Sequence, residues 1–115
     1  MQLLKTWIKR SFASQLYRHK CKREAGELFR SWIHTFSIDP DLPVQAASRD
    51  LFTYHGEDGI IAWLLSRLKD VPPVFADIGS GDCIKSNCAS LAVHAGWTGC
   101  FIDSNDQQLE IGKSF

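Results

Sequence analysis

Val74-Phe75-Ala76-Asp77-Ile78-Gly79-Ser80-Gly81-Asp82 is the stretch on which the reading of this chain turns. An apolar run that carries an acid leads into a Gly-x-Gly turn. A helical pattern follows, with Cys88, Leu91, Ala92 and Ala95 on one side and Gly96 as its closing C′ residue. Trp97-Thr98-Gly99 then leads to a second apolar run, residues 100–103, which ends in Asp103. Strand, glycine turn, helix, strand and acid form the opening of a nucleotide-type cofactor site in a doubly wound α/β fold. The first run is short and does not alternate, as expected of a strand buried on both faces of a parallel sheet.

Downstream, Ser104 with Gln107 resembles a capping box for a last helix holding Leu109 and Ile111. Upstream, Glu57 and Asp58 place acids at a helix N-terminus, where they complement the dipole. Ile60, Ile61, Leu64, Leu65 and Leu68 supply that helix with an apolar stripe; Lys69 sits in its last turn, and Pro72-Pro73 forbid its continuation. Residues 37–48, with Asp39-Pro40-Asp41-Leu42-Pro43, read as a connection. Residues 2–36 read as one or two helices. Leu4, Ile8, Phe12 and Leu16 form one stripe and Ala25, Leu28, Phe29, Trp32, Ile33 and Phe36 a second, with Gly26 marking a break between them.

The fold class is therefore α/β, a β-α-β-α unit preceded by amphipathic helices. Residues 1–50 make a helical N-terminal extension and linker, and residues 51–115 a partial Rossmann-like domain whose sheet is incomplete. The chain of 115 residues has 44% hydrophobic and 23% charged residues, ordinary for a globular protein. Its zero net charge hides an asymmetry. Residues 1–36 hold eight Lys/Arg against two Asp/Glu, and residues 37–115 hold five against eleven. Lys5, Lys9, Arg10 and Arg18 interrupt any secretory apolar core, and no apolar run is long enough to span a bilayer. A cytoplasmic location follows, with Cys21, Cys83, Cys88 and Cys100 as reduced thiols. The spacing of Cys83, Cys88 and Cys100 fits no common zinc pattern, so no metal is expected.

Glycine serves a strand-to-helix turn by taking conformations that other residues resist and by letting a ligand approach the backbone. Asp103, 22 residues after Gly81, stands where a carboxylate can accept both hydroxyls of a ribose. The dinucleotide fingerprint would place a third glycine at position 84, which is Ile84 here. An acid two residues before the first glycine repels a pyrophosphate and suits an ammonium group. The site thus favours S-adenosylmethionine over NAD.

From about Tyr54 onward the chain resembles the FkbM-type S-adenosylmethionine-dependent methyltransferases. The resemblance is carried by His55-Gly56-Glu57-Asp58-Gly59-Ile60, Phe75-Ala76-Asp77-Ile78-Gly79-Ser80-Gly81-Asp82, Ser86-Asn87, Gly96-Trp97-Thr98-Gly99 and Phe101-Ile102-Asp103-Ser104-Asn105. It implies a Rossmann-like domain that transfers a methyl group to an oxygen or nitrogen nucleophile on a small molecule or saccharide. It implies Asp77, Gly79 and Gly81 around the methionine part of the cofactor and Asp103 on its ribose, with Ser80 and Ser104 as further cofactor-binding candidates. No catalytic base is assigned. The chain departs from the family at Cys83, usually glycine, and at Cys88, usually threonine. The family's later strands, which carry substrate-binding residues, have no counterpart here, so the 115 residues are expected to be inactive alone.

Blander readings stand beside these. Asp103 can cap the following helix, and Glu57 and Asp58 can serve the helix dipole alone. The basic N-terminal stripe, with Trp7 among its apolar residues, packs on the domain or a partner in preference to an anionic membrane surface. Nucleic-acid binding has no supporting motif. The alternative functions are a non-catalytic remnant or binding module that keeps half of the cofactor site, and a membrane-associated adaptor built on residues 1–36.

Overall fold

The structure, a computed structural model, describes residues 22–114. The stripe Leu4, Ile8, Phe12 and Leu16, with its membrane-surface reading, lies outside the described residues. A helix α1 covers residues 22–38 and runs unbroken through Gly26, which therefore marks no break. A 3-10 turn, Val44–Ala47, interrupts the anticipated connection. Then come α2 (Glu57–Arg67), β1 (Val74–Ile78), α3 (Ala89–His94), β2 (Thr98–Ile102) and α4 (Asp106–Lys113). Strands β1 and β2 pair in parallel, Val74 with Thr98 through to Ile78 with Ile102. Parallel neighbours need a crossover, and α3 lies within it. The architecture is α/β with a two-stranded parallel sheet.

The core lies on the helical side of the molecule. Phe29, Phe36, Ala47 and Ala62 are fully or almost fully buried in one cluster, flanked by Trp32, Ile33, Leu42, Leu51, Ile61, Trp63, Leu65 and Ala95. The cluster joins residues on both sides of position 50. Leu28, assigned to the α1 stripe, is exposed instead, as are Leu64 and Leu68 of the α2 stripe. Helix α2 turns small residues inward at its first turns, because Gly59 meets the backbone of the 3-10 turn. A Cβ at Gly59 would overlap the carbonyl of Ala47, and the Gly59 N–H donates to Arg49 C=O at 2.9 Å. Polar anchors close the packing. Trp63 Nε1 donates to Leu42 C=O at 2.8 Å. Arg67 donates to Phe36 C=O and, at 2.7 Å, to Asp39 C=O near the end of α1, and its guanidinium lies 5.0 Å from the Trp63 ring centroid. Arg67, not Lys69, occupies the last turn of α2, which ends as Leu68 turns extended.

The strand expected to be buried on both faces is covered on one. Register places Phe75, Asp77, Gly99 and Phe101 on one face. There Phe75 and Phe101 meet edge to face at 5.1 Å, and Phe101 shares an apolar groove with Ala89, Ala92 and Val93 of α3 and Gly112 of α4. The other face presents Val74, Ala76, Ile78, Thr98, Cys100 and Ile102, all exposed. Ile78 is 81% and Val74 62% accessible. Apolar content marked these runs as strand interior, but each face of a sheet is buried only by what lies over it. Strand β2 also begins earlier than expected, at Thr98, and ends before Asp103.

Candidate functional site

The turn after β1 is built as the sequence pattern required. Gly79 takes φ 77° and Gly81 φ 56°, both left-handed, and a Cβ at either would meet nothing within 4 Å. The turn thus presents open backbone at the C-terminal end of the sheet, where ligands of open α/β folds approach. Its amide groups, however, are spent inside the chain. Gly79 and Ser80 N–H both donate to Ile102 C=O, at 2.7 and 3.1 Å. Gly81 N–H donates to Asp103 Oδ2 at 2.8 Å, and Cys83 N–H to Ser80 C=O at 3.0 Å. Ile84 and Lys85 N–H both go to Asp82 Oδ1, at 3.0 and 3.1 Å.

Around this turn stand three carboxylates. Asp77 is half-buried on the covered face of β1, and its Oδ2 accepts a long 3.4 Å bond from Cys88 N–H at the start of α3. Burial first, then the Asp77 charge and its hydrogen bond, push the Cys88 thiol up to about 11. A raised pKa favours the protonated thiol of Cys88 beside Asp77. Asp103 lies immediately after β2. Its Oδ1 accepts from Asn105 N–H at 2.8 Å, its Oδ2 from Gly81, and these bonds, Asn105's first, hold its pKa below the usual carboxylate value. Asp82, which the sequence reading did not single out, caps the loop after the turn. An acid followed two and three residues on by unpaired loop amides is a local signal that could have found it.

Of the candidates, Asp77, Gly79, Ser80, Gly81 and Asp103 meet at this turn. Ser80 is buried, with its Oγ 3.4 Å from Ile102 C=O. Ser104 is exposed, and the helix cap assigned to it belongs to Asn105, whose side chain accepts from Gln107 and Gln108 N–H at 3.1 and 3.3 Å. Asp103 braces the turn and does not cap α4. Lys85 Nζ lies 5.8 Å from the Tyr54 ring centroid, which ties the loop after the turn to the segment before α2.

The chain matches no family model, no curated protein and no solved structure. The geometry of the turn therefore carries the functional argument. Among the described residues no group of His, Cys, Asp and Glu could hold a metal ion, and no helix is long and apolar enough to cross a membrane.

Asp58 sits apart from the turn and is fully buried. Its Oδ2 accepts from Leu51, Phe52 and Thr53 N–H at 2.8, 2.7 and 2.9 Å, and its Oδ1 from Ser90 Oγ at 2.9 Å. Thr53 Oγ1 lies 2.9 Å from both Asp58 Oδ2 and Asp50 Oδ1. The acid read as a dipole partner is the polar junction between the loop before α2 and helix α3.

Cys83 takes φ 64° and turns its thiol toward α4, where a Cβ at Gly112 would come within 2.7 Å of it. A non-glycine residue in this conformation costs about 1–2 kcal/mol, and glycine gives back roughly 0.5–1 kcal/mol as extra unfolded-state entropy. Cys83→Gly should therefore raise stability by up to about 1 kcal/mol, seen as a higher urea midpoint at unchanged slope. A lower midpoint would show that the thiol's packing on α4 outweighs the strain.

Proposed function

We propose that the glycine turn is the half-site of an S-adenosylmethionine-dependent methyltransferase of Rossmann-like fold, acting on an oxygen or nitrogen nucleophile of a small molecule or saccharide. One observation carries this reading: the amides of the turn are already spent on the chain's own acceptors, while carboxylates ring its open backbone. A pyrophosphate or phosphate needs free N–H donors and suffers near Asp77, Asp82 and Asp103. A ligand with an ammonium and a sulfonium suits the same surroundings. The residues fit that group, because the space beside Gly79 and Gly81 is open.

In this reading Asp77 faces the ammonium end, Gly79 and Gly81 let the ligand lie against the backbone, and Asp103 accepts the ribose hydroxyls. A carboxylate has about four acceptor sites, and Asp103 uses two of them on backbone amides. Bound S-adenosylmethionine supplies an electrophilic methyl on sulfur. The turn's contribution is positioning, which provides much of the rate in such a displacement. Among the described residues Cys83, Cys88 and Cys100 are free thiols.

The second reading, a binding module without turnover, draws on the sheet. Among the described residues strand β1 pairs with β2 alone, so its other edge offers no wall for a methyl acceptor. The 115-residue chain is expected to bind the cofactor and transfer no methyl group. Titration calorimetry should show S-adenosylmethionine bound in preference to NAD. Asp103→Ala should weaken that binding by roughly 1–3 kcal/mol, and Asp103→Asn, which keeps an acceptor for the turn, by an amount within the same range. Equal affinity for NAD, or unchanged binding in both variants, would sink the assignment.

A further inference from the structure

Between α1 and α3 lies a cleft of about 330 Å³, lined by Lys22, Arg23, Gly26 and Arg30 of α1 and by Val93 and His94 of α3. Three of these six residues are cationic at neutral pH, and among the described residues no carboxylate lines the cleft. Its inner wall is the His94 imidazole, stacked on Phe52 at 5.4 Å and 16°. Gly26 is buried, and a Cβ there would stand 2.8 Å from His94 Nδ1 and 3.3 Å from Arg30 Nη1. The glycine that breaks the periodicity of α1 without breaking the helix is thus what lets the imidazole reach the α1 backbone. His94 Nε2 is buried and has no hydrogen-bond partner. A buried polar atom left unpaired costs stability, and native structures rarely keep one without a reason. Burial first and the Arg30 guanidinium next lower the His94 pKa, with Lys22 acting the same way and Asp58 opposing. Among the described residues neither Arg23 nor Arg30 forms an ion pair.

We propose that this cleft binds the phosphate group of a small soluble phosphomonoester. The two guanidiniums offer forked donors matched to phosphate oxygens, and Lys22 adds a third positive charge. His94 walls the cleft beneath these cations, where its imidazole senses a bound anion while Nε2 stays buried. The volume leaves room for a small organic group beyond the phosphate. The site is separate from the glycine turn, whose spent amides and carboxylates reject the same ligand.

Inorganic phosphate is the probe, added to the 115-residue chain and followed by the His94 Hε1 resonance. Saturable movement of that resonance at millimolar phosphate is expected, with the signals of Gly79 and Gly81 unmoved. The double variant R23Q/R30Q replaces two exposed side chains and should keep the spectral dispersion of the parent while weakening phosphate on the order of tenfold or more. Lys113→Gln, which removes a positive charge from the exposed pair with Glu110 on α4, should leave phosphate binding unchanged. No saturable shift, or an equal loss in Lys113→Gln, would overturn the proposal. So would retention on phosphatidylserine vesicles without any response to phosphate, which would assign the charge to a membrane surface.

Discussion

Asp58→Ala is expected to cost roughly 3–5 kcal/mol and to unfold much of the helical half of the protein. The carboxylate is fully buried and gathers three consecutive backbone N–H groups from Leu51, Phe52 and Thr53. On its other oxygen it holds Ser90 of α3. Alanine would leave those donors without an acceptor in a place water does not reach, and each orphan costs about 1–3 kcal/mol. The loop that Asp58 organises also carries Arg49, whose guanidinium lies 4.9 Å from the Phe36 ring centroid in the core. Asp58→Asn separates the roles of shape and charge. Its amide oxygen can still accept the three N–H groups and its NH2 can donate to Ser90, so the loss should be about 1–2 kcal/mol. Urea titration followed by far-ultraviolet circular dichroism measures both. A midpoint for Asp58→Ala within about 1 kcal/mol of the parent would show that the junction is dispensable.

The second large effect concerns the sheet. Two strands give a marginal sheet, and here one face is bare: Val74, Ala76, Ile78, Thr98, Cys100 and Ile102 are all exposed. Each strand also has an outer edge without a partner strand among the described residues, and such edges template association. Amide hydrogen exchange should therefore be fast through Val74–Ile78 and Thr98–Ile102 and slow around Phe29, Phe36 and Ala62. At rising concentration the 115-residue chain should self-associate through the sheet. Ile78→Lys, which places a charge on the most exposed apolar position, should restore a monomeric elution profile at little cost to helical stability. Strand amides protected as strongly as those of α1, with a single cooperative transition and a monomer at all concentrations, would show that the bare face is stably tolerated.

Local rules made much of this legible from the sequence. The Gly79 and Gly81 turn, the first strand, and Gly96 with φ 69° after α3 all depend on neighbours a few residues away. The left-handed φ of 64° at Cys83 was not marked by any local rule. Asp77 lies in β1 as read, whereas Asp103 lies just past β2, and their hydrogen bonds to Cys88 and Gly81 became visible only in the folded chain. Tertiary structure alone decided the rest. Asp58 looked like an ordinary first-turn acid, because its partners at Leu51 and Ser90 lie on elements the local pattern does not connect. Gly26 looked like a helix break and proved to be a contact surface for His94 of a distant helix. An apolar strand records only a fitness for burial. Whether Ile78 and Ile102 are buried depends on what is packed over them, and the sequence of β1 and β2 does not contain that information.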